Sequence, residues 1–175
     1  MHPLRFFKYC PVCGSSEFAD FETRAKRCGR CGFLFYLNPA AAVAAFVFNS
    51  DGELLLCRRK FEPYKGTLDL PGGFVEFDED AECAVKREVR EELGVDGIDV
   101  EYLFSVPNVY PFSNLDVRTL DLFFACKLTK QQVLSLRAAD DVESFVFLKL
   151  EDVNLDDIGL PSIKKAVERY REGHC

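Results

Sequence analysis

Three carboxylates crowd the apolar side of one short helix, and few folds have a use for that arrangement. The stretch from Asp80 to Leu93 has helical periodicity, Gly94 stops it, and Asp96-Gly97 turns the chain. On a wheel of about 100° per residue measured from Ala81, Val85 lies near ~40° and Val89 near ~80°. Glu92 falls near ~20°, Glu88 near ~340° and Glu91 near ~280°, an arc of roughly 100° that overlaps the apolar one. Lys86 and Arg90 lie on the opposite side, and Cys83, near ~200°, is far from the acids. Like charges beside a core face repel one another and resist desolvation. Two readings stand level at this point: an ordinary charged amphipathic helix, and a site for a hard divalent cation with oxygen ligands, Mg²⁺ or Mn²⁺. The preceding Leu70-Pro71-Gly72-Gly73-Phe74 favours the second. A glycine pair beside a helix start permits close backbone approach and can turn N–H groups toward phosphate oxygens.

A second feature lies upstream. Cys10-Pro11-Val12-Cys13-Gly14 is matched by Cys28-Gly29-Arg30-Cys31-Gly32. Each pair presents two thiolates from one tight turn, and the following glycines permit such turns. Four thiolates suit a tetrahedral, closed and therefore structural Zn²⁺ site, with a short hairpin from Glu17 to Lys26 between the pairs. So small a segment has little core of its own, so metal binding is part of its folding. Its basic residues, Arg24, Lys26, Arg27 and Arg30, read equally as a solvated face or a nucleic-acid contact. The other cysteines, Cys57, Cys83, Cys126 and Cys175, are scattered, which suits a reducing compartment better than a disulfide frame.

Asn38-Pro39 marks a boundary, giving a ribbon over 1–37 and a main domain over 38–175. Ala41 to Phe48 and Glu53 to Arg58 read as a strand pair around Asn49-Ser50-Asp51-Gly52. Phe61 to Leu68 reads as a loop, Val100 to Val106 as a strand, and Pro107 to Asn114 as a loop. Val117 to Leu128 alternates partially, with Val117, Thr119, Asp121 and Phe123 on one side. Ser144 to Leu150 is a last strand and Pro161 to Glu172 a closing helix with proline in its first turn. Strands with two helices predict an α/β fold of helices packed on mixed sheets. A net charge of -7 argues against a long nucleic-acid surface but not against small anionic ligands, since a bound cation inverts the sign of an acidic site. No apolar run reaches membrane-span length and no signal segment is evident, so no membrane partner and a cytoplasmic location are expected. His2 and His174, near the ends, are given no catalytic role.

Taken together, Gly73, five residues, Glu79, seven residues, Arg87-Glu88-Val89, one residue, Glu91-Glu92, one residue, Gly94-Val95 resembles the Nudix box at every fixed position. The resemblance covers about Asn38 to Glu172 and implies a Nudix α/β/α sandwich with mixed sheets, preceded by the four-cysteine zinc ribbon. It implies that Glu88, Glu91 and Glu92 hold Mg²⁺ or Mn²⁺ with the Gly73 carbonyl, and that Arg87 orients the helix acids through Glu79. Glu92 or Glu91 is then the first choice of general base. Asp140, Asp141 and Glu143 precede the last strand, where family members also place an acid, and Glu143 is carried as a catalytic candidate. The implied reaction is hydrolysis of the pyrophosphate in a nucleoside diphosphate linked to X, by attack of water at phosphorus.

A ribbon before such a domain, and Tyr36-Leu37-Asn38-Pro39 at the junction, resemble the NADH pyrophosphatase branch, where the ribbon also supports a homodimer. Members of that branch carry Ser-Gln-Pro-Trp-Pro-Phe-Pro after the box, and many carry a long leading domain. Here Ser105 to Ser113 keeps a serine, prolines and a phenylalanine but neither glutamine nor tryptophan, which leaves X open among NADH, ADP-ribose and related nucleotides. Phe74, Tyr110 and Phe112 are candidates to clasp a base, with Phe77, Phe61 and Tyr64 behind them; Arg58 and Arg118, then Arg59 and Lys60, are candidates for phosphate. Two other functions stay open: an RNA-end or house-cleaning pyrophosphohydrolase, motivated by the basic ribbon, and a nucleotide-sensing regulatory protein, against which the complete acid set argues.

Overall fold

Apolar residues at every second position of one strand divide the main domain into two packed layers. The computed structural model describes residues 3–173, so His2, His174 and Cys175 lie outside it. The chain forms two compact units: one takes residues up to Ala40 together with Val109–Arg118, the other Ala41–Asn108 with the chain from Thr119 onward.

In the first unit, β1 (Phe18–Glu22), β2 (Ala25–Cys28) and β3 (Leu34–Tyr36) form an antiparallel sheet in the order β1-β2-β3. The predicted hairpin is β1–β2; β3 was not foreseen, because three residues carry no readable period. Its small core is Cys10, Phe18 and Cys28, with Cys13, Phe33 and Phe35 packed against them.

The remaining elements are β4 (Ala40–Phe48), β5 (Leu54–Arg59), β6 (Leu68–Asp69), β7 (Gly72–Phe74), α1 (Ala81–Leu93), β8 (Glu101–Phe112), β9 (Leu115–Lys127), α2 (Lys130–Ser135), β10 (Val142–Leu148) and α3 (Pro161–Arg171), all in the second unit except Ala40 and Val109–Arg118, the tip of the β8–β9 hairpin, which belong to the first. The sheet runs β10-β5-β4-β9-β8, with β6 beside β5 and β7 beside β4. Along β4, Val43, Ala45 and Val47 join a core with Ala84, Val85, Val89 and Leu93 of α1. Phe46 and Phe48 point to the other side, where Tyr170 of α3 stacks on them at 4.7 and 5.6 Å between centroids. Phe104 and Phe123 complete that layer at 6.4 and 6.1 Å from Phe46. Each helix thus covers one face of the sheet, the α/β/α sandwich expected from the sequence.

Asp80 caps α1 by accepting the Cys83 N–H at 2.7 Å, and Gly94 ends it in the left-handed conformation with φ 71°. Pro107 to Asn114, read as a loop, belongs largely to β8, which runs to Phe112 before turning at Ser113-Asn114. Prolines are tolerated there because β8 is an edge strand of the sheet, and an edge leaves one side free of partners for backbone N–H groups.

Candidate active site

Arg87 organises the acids of α1. Its Nε donates to Glu79 Oε1 at 3.0 Å and its Nη2 to Glu79 Oε2 at 3.0 Å, a bidentate pair. Nη1 donates to Glu88 Oε1 at 2.7 Å and Glu91 Oε2 at 3.1 Å, and Nη2 also donates to the Phe74 carbonyl at 3.0 Å. One guanidinium therefore ties the loop before the helix to one turn of its acidic edge. Glu79 is held below the usual carboxylate range, chiefly by the Arg87 hydrogen bonds.

β7 brings the glycines against the same acids. It pairs with β4 at Ala42–Phe74, Val43–Gly73 and Ala44–Gly72. The Gly72 N–H donates to Glu92 Oε2 at 3.1 Å. A Cβ built on Gly73 would overlap the Glu88 carboxylate, with Glu88 Cδ at 2.7 Å, so glycine is required for Glu88 to lie over the backbone there. Glu92 is only 6% exposed. Burial raises its pKa well above the ordinary range, and Glu88 and Asp69 push in the same direction. Burial also raises Glu88, against the lowering effect of Arg87.

Among the described residues, only Cys10, Cys13, Cys28 and Cys31 bring their ligand atoms within 4.8 Å of one another. Cys10 and Cys31 sulfurs are 3.7 Å apart and Cys13 and Cys28 sulfurs 3.6 Å, near the ~3.8 Å edge of a tetrahedron with Zn–S of about 2.3 Å. These four residues fit zinc, and the Cys28 thiol is drawn down to about 7, first by the Cys31 backbone N–H. On α1 the donor chemistry fits a hard divalent cation. Burial and neighbouring negative charges raise two of the carboxylates, and Arg87 is the cation that bonds both Glu88 and Glu91, with Arg90 a longer 3.9 Å from Glu91.

The loop before β10 approaches the helix end. Ala139 N–H donates to the Glu92 carbonyl at 2.9 Å and Arg137 N–H to the Leu93 carbonyl at 3.0 Å. Asp140 and Asp141 lie near enough for their charges to raise Glu88 and Glu92 respectively. Glu143 sits at the register shift between Val142 and Ser144 of β10, and is exposed. Arg58 is exposed and its Nη1 donates to the Gly66 carbonyl. Phe74 and Phe77 are exposed, and Lys60 lies 5.1 Å from the exposed Phe61 ring. Tyr110 and Phe112, stacked at 6.5 Å, belong with Arg118 to the unit that contains the ribbon.

Sequence reasoning missed a buried polar group beside these acids. Asp69, 6% exposed, accepts from Arg59 Nη1 at 2.6 Å, and burial nevertheless raises it to about 6. Asp121, also buried, accepts from Thr119 Oγ1 at 2.6 Å and Asn108 Nδ2 at 3.0 Å. The readable signal was an acid inside an apolar run, Leu68-Asp69-Leu70, and another on the core-facing register of β9.

A helix of clamped acids against a glycine strand, within a sandwich, has the donor chemistry that a metal-using hydrolase would need. The NUDIX domain family profile matches residues 38–170, and the chain belongs to the Nudix hydrolases. It is 32% identical to the ADP-ribose pyrophosphatase of Methanocaldococcus jannaschii over 81% of this chain and 80% of that protein. It is 38% identical to the NAD-capped RNA hydrolase NudC of Deinococcus radiodurans over 62% of this chain, and spans 40% of that protein's length. The crystal structure of a Nudix hydrolase from Nitrosomonas europaea superposes with a TM-score of 0.68 at 26% identity, covering 94% of this chain and 90% of that one. No helix among the described residues is long and apolar enough to cross a membrane.

Proposed function

We propose that the chain hydrolyses the pyrophosphate bond of a nucleoside diphosphate linked to X, with ADP-ribose the first substrate and NADH the second. The observation that carries this is the Glu88 carboxylate lying over Gly73 while Glu92 takes the Gly72 N–H, which puts two acids against open backbone. The M. jannaschii relative, named an ADP-ribose pyrophosphatase and matched along most of both chains, favours ADP-ribose.

Glu88, Glu91 and Glu92, with the Gly73 carbonyl, would hold Mg²⁺ or Mn²⁺. Such a cation supplies charge neutralisation at the bridging phosphates and an acidified water. Arg87 keeps Glu88 and Glu91 oriented and Glu79 keeps Arg87 in place. Glu92, buried against the Gly72 N–H beside the glycine strand, is the preferred base, with Glu91 next. Glu143 remains a proposed loop acid. Arg58, Phe74, Tyr110, Phe112 and Arg118 are proposed for substrate. Zn²⁺ in the ribbon and a cytoplasmic setting are proposed on the grouped and free thiols, and a homodimer on the resemblance to the ribbon-bearing branch.

The test is product analysis over ADP-ribose, NADH, NAD⁺ and nucleotide sugars with Mg²⁺ and Mn²⁺. AMP and ribose 5-phosphate from ADP-ribose are expected. Full turnover by both Glu88→Gln and Glu92→Gln would sink the assignment.

A further inference from the structure

The ribbon sheet has one closed face and one open face. On the closed face Phe18 and Cys28 are buried, and Lys26 Nζ is held by the carbonyls of Phe7 and Phe18 at 3.0 and 3.2 Å. Asp20, on that same side but largely exposed, pairs with Lys26 at 3.4 Å. Residues paired across antiparallel strands point the same way. Ala19 pairs with Arg27, Arg27 with Leu34, and Ala25 with Tyr36, so these share the other face, where Ala25 is buried and Ala19, Arg27, Leu34 and Tyr36 are exposed.

Two arginine–aromatic pairs stand there. The Arg27 guanidinium lies 5.6 Å from the Phe21 ring centroid and that of Arg24 5.7 Å from the Tyr36 ring. Phe21 is 48% exposed, Leu34 39% and Tyr36 36%. The charge is also divided unevenly. Residues 1–40 hold six basic residues (Arg5, Lys8, Arg24, Lys26, Arg27, Arg30) against Glu17, Asp20 and Glu22, although the whole chain carries -7. A bare basic patch would suit any polyanion, and a bare aromatic face an apolar protein surface. Aromatic rings with guanidinium groups held on them suit a strand whose bases are unstacked and whose phosphates lie within reach. A duplex keeps its bases stacked inside and would leave the rings without a role.

We propose that this face of the ribbon is a docking platform for single-stranded nucleic acid, with Phe21 and Tyr36 stacking bases and Arg24 and Arg27 meeting phosphates. Glu22, paired in register with Ala25, is the acid that opposes it on this face. The proposal stands apart from the pyrophosphate reading, since docking is measured without turnover.

The experiment is fluorescence anisotropy of the full chain with uncapped, mixed-sequence 12-nucleotide RNA and DNA strands and an RNA duplex, without Mg²⁺. Single strands of either sugar should bind more tightly than the duplex. Affinity should fall about tenfold between 50 and 200 mM KCl, as two or three released phosphate contacts require. Phe21→Ala and Tyr36→Ala should each weaken binding about tenfold, with unchanged circular dichroism. Arg27→Gln should flatten the salt dependence, and Glu22→Gln should tighten binding several-fold, a gain that misfolding cannot imitate. Wild-type affinity in both aromatic variants would overturn the proposal. So would a dimer that Leu34→Glu converts to monomer in a chain that binds no strand, which would give the face to a second copy.

Discussion

Glu92 accepts the Gly72 N–H, while its burial and the neighbouring charges of Glu88 and Asp69 oppose ionisation. Replacing it by glutamine keeps an acceptor for that N–H and removes a buried charge. Glu92→Gln should therefore raise the melting temperature of the metal-free chain by about 2–4 °C, the shift that ~1 kcal/mol gives at this size, while lowering kcat at least a hundredfold. Differential scanning fluorimetry in EDTA, alongside steady-state kinetics with Mg²⁺, reads both; a destabilised Gln variant would contradict the electrostatic account. Asp69 gives a pH signature. Its folded-state pKa is raised from 3.8 to about 6, chiefly by burial. The folded chain therefore binds more protons than the unfolded one between those values. The resulting stability is fully present below about 4 and is lost as pH rises through about 6, at most roughly 3 kcal/mol over the window. Burial raises Glu88 and Glu92 in the same sense, whereas Glu79 is lowered and acts below its ordinary range. Urea unfolding in EDTA at pH 5 and pH 7.5 should show the higher stability at pH 5, and Asp69→Asn should reduce the difference.

At the scale of elements, α1 is a strut whose acidic edge is held chiefly by Arg87. Arg87→Lys keeps the charge but cannot reproduce the fork to Glu79 together with the bonds to Glu88, Glu91 and Phe74. It should lower kcat about tenfold or more and cost about 2–3 kcal/mol of stability, less than the ~3–5 kcal/mol of a fully broken buried pair because lysine retains the charge. Kinetics and urea midpoints check the two halves independently. This helix was also the most legible element. Asp80, the apolar spacing and Gly94 marked its cap, face and end, and the wheel put its acids beside the core, where Glu92 is buried and Glu88 nearly so. The β8 hairpin was less legible, because Pro107 and Pro111 read as punctuation while their edge position, a property of the assembled sheet, makes them tolerable. The pairing of Arg59 with Asp69, ten residues apart, was likewise unreadable: it depends on β5 and β6 lying side by side.

On the scale of the whole molecule, the chain carries two compact units with different sources of stability. The larger rests on an apolar sandwich. The smaller has a core of Phe18 set among the cysteines, with Phe33 and Phe35 partly buried beside it, too little to fold alone without a metal. One zinc per chain is expected by elemental analysis. Cys13→Ser should lower that content and make the first forty residues the preferred site of limited proteolysis, with the fragment beyond them resisting; equal resistance throughout would show that the metal is dispensable. The four-cysteine spacing announced the ribbon from sequence because two C-x-x-C turns are local. Its open aromatic face was not announced, because the sides of a three-residue strand are defined only by register.

Gly72 and Gly73 are the same letter twice, yet different neighbours forbid a side chain at each. A Cβ at 72 would strike the backbone of Val43 and Ala44 in the adjacent strand, which cannot retreat. At 73 the obstruction is the Glu88 carboxylate, the far end of a side chain that can swing aside. In a pooled library scored for both cellular abundance and hydrolysis, substitutions at 72 should vanish from the abundance pool. Those at 73 should accumulate as folded, inert protein. Two adjacent residues would thus be retained by separate selections, one exercised by protein quality control and the other by the reaction.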